Sequence, residues 1–285
     1  MPSKLEIRQQ FGQRNNFRGL LVCLQDICLL GLAFTIAAYW GHFWFVSLFI
    51  IWWVGCVQFA VGESLLHESS HGNLFKNPAL NNAVGHFIAA LIWTKLEDWR
   101  EEHQVHHGYL LSPQDHLTKD YVDYQLHDGL HPFITWIFRP LIGIIGWEWI
   151  KSEWSGLFRN KQSLILYSLI VLFCWWTGNL LFFCCYWLLP LVWAYPAILY
   201  WSEITDHYLA DTATRTNTSI FWNTLFHNGG YHWLHHEYPF IPWYLLPKAH
   251  RQLTPSNTTK VNGWWQMYQV MLHHYQQEVL PQKKG

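Results

Sequence analysis

Charge is scarce in this chain. Lys, Arg, Asp and Glu make up 13% of its 285 residues, against roughly 25% in ordinary soluble proteins. With 51% hydrophobic residues, the deficit points to a bilayer as solvent. No excess of positive charge exists either: the net charge is −1, which excludes the electrostatics of a nucleic-acid partner. Six cysteines (Cys23, Cys28, Cys56, Cys174, Cys184 and Cys185) all sit in apolar runs and form no C-x-x-C pair. That spacing excludes a cysteine zinc site, a ferredoxin-type cluster and a haem attachment motif. They read as small buried hydrophobes. No G-x-G-x-x-G dinucleotide fingerprint occurs. Internal repeats and low-complexity linkers are lacking too, so residues 1–285 are expected to form one domain.

Lys and Arg are missing from two long stretches, between Arg18 and Lys76 and between Lys161 and Arg215. These stretches hold four apolar segments, 19–40, 43–61, 163–176 and 180–201. About 20 residues cross a hydrocarbon core of roughly 30 Å, so the third is short by that measure. The turns at 41–42 and 177–179 carry no positive charge, whereas Lys4, Arg8, Arg14, Arg18, Lys151, Arg159 and Lys161 flank the opposite ends. By the positive-inside rule, both termini and the 62–162 segment are cytoplasmic. The expected fold is an all-α, multi-pass integral membrane protein with two transmembrane hairpins, capped on the cytoplasmic side by 62–162 and 202–285. Residues 83–94 are too short to span and read as re-entrant or interfacial. Residues 133–147, broken by Arg139-Pro140, read as a helix lying on the membrane surface. The first apolar segment exceeds the length of a signal-peptide core and reads as a retained span. Abundant Trp, Tyr and Phe suit an interfacial belt.

Histidine is the residue in excess, with 18 copies. Three clusters stand out: "HESSH" at 67–71, "HQVHH" at 103–107 and "HWLHH" at 232–236. At this composition H-x-x-H-H should arise by chance about 0.07 times, and it occurs twice. Helical residues at i, i+3 and i+4 share one face, so each cluster can turn its imidazoles to one pocket. Eight clustered histidines exceed the three or four ligands of one tetrahedral zinc. They suit two metal ions, and imidazole alone does not name the metal. By the span assignment all eight lie on the same side of the membrane. His207 joins them just past the fourth span, with Glu203 one turn before it. The remaining histidines, His116 among them, have no such spacing and read as surface or structural.

Taken alone, "HESSH" fits the H-E-x-x-H zinc peptidase motif with Glu68 as base. That reading leaves at least five clustered histidines unused. A carboxylate di-iron centre needs two Glu-x-x-His pairs, and Glu68–His71 is the single one present. A metal transporter would place its ligands near the bilayer midplane, whereas these crowd at span ends.

The boxes H-x-x-x-H, H-x-x-H-H and H-x-x-H-H after paired hairpins resemble those of the membrane fatty acid desaturases. Their surroundings, "HESSHGNLF…LNNAVG", "WREEHQVHH" and "RTNTSIFWNTLFHNGGYHWLHHEYPFIPWYLLPKAH", are similar too, from about Gly62 to His250. The resemblance implies a cytoplasmic cap over four spans holding two irons. The implied ligands are His67, His71, His103, His106, His107, His232, His235 and His236, with His207 as the ninth. Where some members have Asn before that histidine, this chain has Glu203, whose role is open between touching iron, acting through water and orienting His207. The same boxes serve hydroxylases and ketolases.

The expected chemistry is an O₂-dependent oxidation of an aliphatic chain, foremost desaturation of a fatty acyl group. Hydroxylation or ketolation is the alternative within the superfamily. Electrons would come from a separate donor, a ferredoxin, rubredoxin or cytochrome. Glu68, Glu102, Glu203, Asp115, Asp206 and Glu237 are candidates to accept the distal N–H of metal-bound imidazoles, against the plainer reading of each as a solvated acid. Lys95, Arg100, Lys119 and Arg215 are the basic residues placed to meet a phosphate-bearing head group, or simply the cytoplasmic surface.

Overall fold

The computed structural model describes residues 2–256 and 258–280. It is mostly helical, with one two-residue parallel strand pair, Thr216–Asn217 beside Lys260–Val261. Two compact units emerge. One is apolar and built from 16–99 and 139–200; the other is histidine-rich and built from 1–15, 100–138 and 201–285.

In the apolar unit, the helices Asn16–Trp40 and Trp44–Ser70 are long and apolar enough to cross a membrane, as is Leu180–Asp206, which runs on into the second unit. Their exposed faces carry large apolar side chains, Trp44 at 77% and Leu181 at 75%. A surface of that kind fits a lipid environment. The inner faces pack around Ala33, Ala37, Ile50, Val54 and Tyr186. Small residues set the spacing. A Cβ added at Gly55 would lie 2.4 Å from Ala194 Cβ, so the two backbones approach closely there.

The expected segment 163–176 lies within the helix Lys161–Trp176, whose 16 residues leave it shorter than the three spanning helices. At 1.5 Å per residue it reaches about 24 Å, less than a hydrocarbon core. Residues 133–147 fall in two helices, Phe133–Leu141 and Ile144–Arg159, bent by 67° at Gly143. Gly143 has φ +84°, a left-handed conformation that glycine adopts without strain. The Arg139-Pro140 pair lies inside the first of the two, and the break comes two residues after its end. Of residues 83–94, those up to Leu91 belong to the 14-residue helix Pro78–Leu91, too short to span.

Two π-helical turns interrupt the spanning helices, Ala60–Leu65 and Cys184–Leu188. The first lies directly before His67. Such bulges rotate the next turn of helix about its axis and concentrate at functional sites. Here the Tyr195 hydroxyl donates to Glu63 Oε1 at 2.6 Å.

The histidine-rich unit has its own core of Ile7, Phe11, Leu234, Ile241, Leu246 and Ala249. Leu234 belongs to the helix His232–Glu237 and is fully buried. Its side chain therefore anchors one face of that turn and leaves the histidines to the other.

Candidate metal centre

The second and third boxes are helical as their spacing requires: His103, His106 and His107 lie on Leu96–Tyr109, and His232, His235 and His236 on His232–Glu237. The approach to the third box is shaped by asparagines. Asn223 Nδ2 donates to the Asn217 carbonyl at 2.7 Å, while Asn223 Oδ1 accepts from Gly230 N at 3.1 Å. His227 and Asn228 both adopt positive φ, turning the chain sharply before the helix.

Within the histidine-rich unit, His106, His207, His232 and His236 each direct one ring nitrogen into a common space, all within 4.8 Å of one another. His207 Nε2 lies 2.8 Å from His232 Nε2, which lies 3.1 Å from His236 Nε2. Two of the four have a fixed proton. His106 Nδ1 donates to Asp115 Oδ1 at 3.1 Å and His207 Nδ1 to the Ala213 carbonyl at 3.0 Å. Those acceptors have no proton to give, so in the neutral form of each ring the lone pair sits on Nε2. Burial first, then the His232 and His106 rings, holds His207 well below the usual imidazole range. His236 is lowered by burial and then by His232, His207, His107 and His106. Imidazole nitrogens about 3 Å apart match the donor separation around a transition metal bound at roughly 2.1 Å. The residues therefore fit a metal ion.

A second set lies beside it in the same unit. His107 Nε2 is 3.0 Å from both His103 Nε2 and His235 Nε2. In the apolar unit, His67 lies in the last turn of the long helix and His71 caps it, with ring centroids 5.0 Å apart. Their turn is held by buried polar contacts. Ser69 Oγ donates to the Asn81 carbonyl at 2.9 Å, and Asn81 Nδ2 returns to the Ser69 carbonyl at 2.8 Å. This gives a physical reason for Asn81 in the "LNNAVG" stretch.

The candidate second-sphere acids separate. Asp115 is buried, with Oδ1 3.1 Å from His106 Nδ1. Asp206 Oδ2 lies 4.0 Å from His232 Nδ1 and accepts from Ser202 Oγ at 3.1 Å. Glu68 is buried at 4% exposure. Glu203 Oε1 stands 4.0 Å from His116 Nε2, and Glu102 also faces His116, at 3.6 Å. Glu237 is a surface acid, 3.6 Å from Lys4. His116, a surface or structural residue by its sequence spacing, lies with His106 and Asp115, and again with Asp120 and Glu203. Arg215 does not face solvent. Fully buried, it donates to the Thr205 carbonyl at 3.1 Å and to the Leu209 carbonyl, so a phosphate role is corrected to a structural one.

The family signature described as fatty acid desaturase matches residues 38–269. An omega-3 fatty acid desaturase, chloroplastic, of Ricinus communis is 26% identical over 85% of this chain and 60% of its own length. In Arabidopsis thaliana, a temperature-sensitive sn-2 acyl-lipid omega-3 desaturase (ferredoxin), chloroplastic, is 23% identical over 85% of this chain and 64% of its own. A beta-carotene ketolase of Paracoccus is 23% identical over 69% of this chain and 76% of its own. The chain thus spans less than two thirds of the length of the two plant proteins.

Proposed function

Because the chain belongs to the fatty acid desaturase family, we propose that it is an integral membrane oxidoreductase that introduces a C=C bond into a fatty acyl chain. It uses two non-haem irons, O₂ and electrons from a separate donor. The carrying observation is the set of His106, His207, His232 and His236, whose ring nitrogens converge within 4.8 Å. In this reading those four hold one iron. His103, His107 and His235 hold the other, and the box pattern makes His67 and His71 metal ligands as well. When bound, the irons supply O₂ activation and an oxidant able to attack an unactivated C–H bond.

The protein's own contribution is positional. Asp115 takes the Nδ1 proton of His106 and fixes its ring. The Ala213 carbonyl does the same for His207. Burial keeps His207 and His236 neutral, so metal binding need not displace a proton from either. The π-turn before His67, tied by Tyr195 to Glu63, rotates the last turn of the helix that carries the first box.

The proposal retains four spans in two hairpins, with Lys161–Trp176 as the third, and both termini and the site cytoplasmic. The two runs without Lys or Arg support it. Residues 1–285 act as one domain. The plant relative named for ferredoxin supports a donor of that kind, with rubredoxin or cytochrome as alternatives, and an acyl-lipid substrate. A second reading, ketolation or hydroxylation, is favoured by the ketolase relative. Family membership sets the peptidase and transporter readings aside.

Metal analysis of the purified protein, with lipid profiling of an expressing host supplied with ferredoxin, tests this. Two irons per chain and a new alkene are expected. A new alcohol or ketone selects the second reading. Absence of iron together with an unchanged lipid profile overturns both.

A further inference from the structure

A third group of metal-binding side chains lies in the histidine-rich unit, outside the nine histidines assigned above. His116, Asp120 and Glu203 each bring one ligand atom within 4.8 Å of the other two. The helix His116–Asp123 begins at His116. Asp120 comes four residues later, which puts both side chains on one helical face. Glu203 comes from the last turn of Leu180–Asp206 and closes the group at 4.0 Å from His116 Nε2.

The imidazole is oriented from its other edge. His116 Nδ1 has Asp115 Oδ1 at 3.4 Å and Glu102 Oε1 at 3.6 Å, ion-pair distances without a hydrogen bond among the described residues. Two carboxylates there favour the proton on Nδ1, which leaves the Nε2 lone pair directed at Glu203. A carboxylate against the distal nitrogen is the usual support of a metal-bound histidine. The neighbouring Tyr121 hydroxyl is buried and makes no hydrogen bond among the described residues.

From this arrangement we propose that His116 Nε2 and the carboxylates of Asp120 and Glu203 form a third cation site, separate from both histidine sets. One imidazole and two carboxylates suit Mn²⁺, Fe²⁺ or Zn²⁺ and disfavour soft Cu(I). Ligands of an octahedral ion at about 2.1 Å stand roughly 3.0 to 4.2 Å apart. The three atoms therefore reach an ion with side-chain shifts under about 1 Å. All three side chains are half-buried, so an ion can enter from solvent. Asp115 Oδ1 touches both His106 and His116. An ion at the third site is therefore felt at the four-histidine set through a shared carboxylate. The competing occupant of the same space is a proton on Nε2, giving an imidazolium held among acids.

The test uses full-length protein in nanodiscs with its histidine sets loaded, titrated with Mn²⁺ and followed by electron paramagnetic resonance of the free ion. One additional Mn²⁺ per chain is expected. Asp120→Asn and His116→Gln should each weaken it by about tenfold or more while the resident metal count stays unchanged. Should those variants fail to fold, Mn²⁺ broadening of the His116 ring signals in ¹⁵N-histidine-labelled wild type reads the same site without substitution. Equal Mn²⁺ binding by wild type and Asp120→Asn overturns the proposal. So does a His116 imidazolium whose signals Mn²⁺ does not broaden.

Discussion

His106 Nδ1 and Asp115 Oδ1 lie 3.1 Å apart with both side chains buried. Asp115 also accepts from Leu111 N at 2.7 Å and caps the helix His116–Asp123. Burial pushes its carboxyl up, but the His106 hydrogen bond and charge, the Leu111 N–H and His116 outweigh it and hold the group below 3.8. A depressed acid contributes its stabilisation above the unfolded value and loses it as pH falls through the folded one. Asp115→Asn is therefore expected to cut metal affinity of the four-histidine set by about 10–100-fold at neutral pH. Metal retained after dialysis against a chelator checks this; wild-type retention would remove Asp115 from its positioning role.

Glu68 distinguishes the motif from the site. The side chain is buried at 4% exposure between His67 and His71 in sequence, where a peptidase would use it as base. On the proposed two-iron reading, Glu68→Gln is expected to keep the full metal content, whereas His106→Ala or His235→Ala each removes a proposed ligand and lowers it. One zinc per chain, with activity lost in Glu68→Gln, would restore the peptidase reading.

Helix contact in the apolar unit rests on missing side chains. A Cβ at Gly55 meets Ala194 Cβ at 2.4 Å and the Ala194 backbone at 3.1 Å, while one at Gly31 meets nothing within 4 Å. Gly55→Val should cost about 1–3 kcal/mol by overpacking, and Gly31→Val should show no such cost. Thermal unfolding of the two variants in nanodiscs compares them directly. Equal midpoints would mean that the helices part easily at Ala194.

Arg215 holds the loop beyond His207. Its backbone N–H reaches the Asp206 carbonyl at 2.8 Å, and its guanidinium serves carbonyls at the end of the helix carrying Asp206. Arg215→Met leaves buried carbonyls unsatisfied, at about 1–3 kcal/mol each. The expected result is loss of metal from the His207 set with partial rescue by Arg215→Lys. Full metal content in Arg215→Met would show that His207 is positioned without it.

The histidine boxes and the long apolar segments were legible because both are periodic within one stretch of chain. Spacings i, i+3 and i+4 put His232, His235 and His236 on one turn, and composition alone marks Asn16–Trp40. His116 was not legible, because Asp120 and Glu203 that define its surroundings are four and 87 positions away, and only folding joins the second. Arg215 reads in sequence like any cytoplasmic cation; its burial depends on a loop whose shape has no local period. The π-turn at Ala60–Leu65 leaves the apolar pattern unchanged and is equally silent.

The carboxyl of Asp120 offers the sharpest pH test. Burial pushes it up to about 6; Glu102 and Asp123 add to the rise, while His116 and Lys119 oppose it. An acid raised above its unfolded value of 3.8 binds its proton more tightly in the folded state. Ionising it therefore costs stability progressively as pH rises from about 4 to 6, and the full cost persists above that. In chelator, Asp120→Asn should melt about 2–4 °C above wild type near pH 7.5, and the two should converge near pH 4. Added Mn²⁺ should reverse the order at the higher pH, because only wild type gains a ligand for its carboxylate. Were Asp120→Asn the less stable protein in chelator at both pH values, Asp120 would be making a favourable contact rather than waiting for a cation.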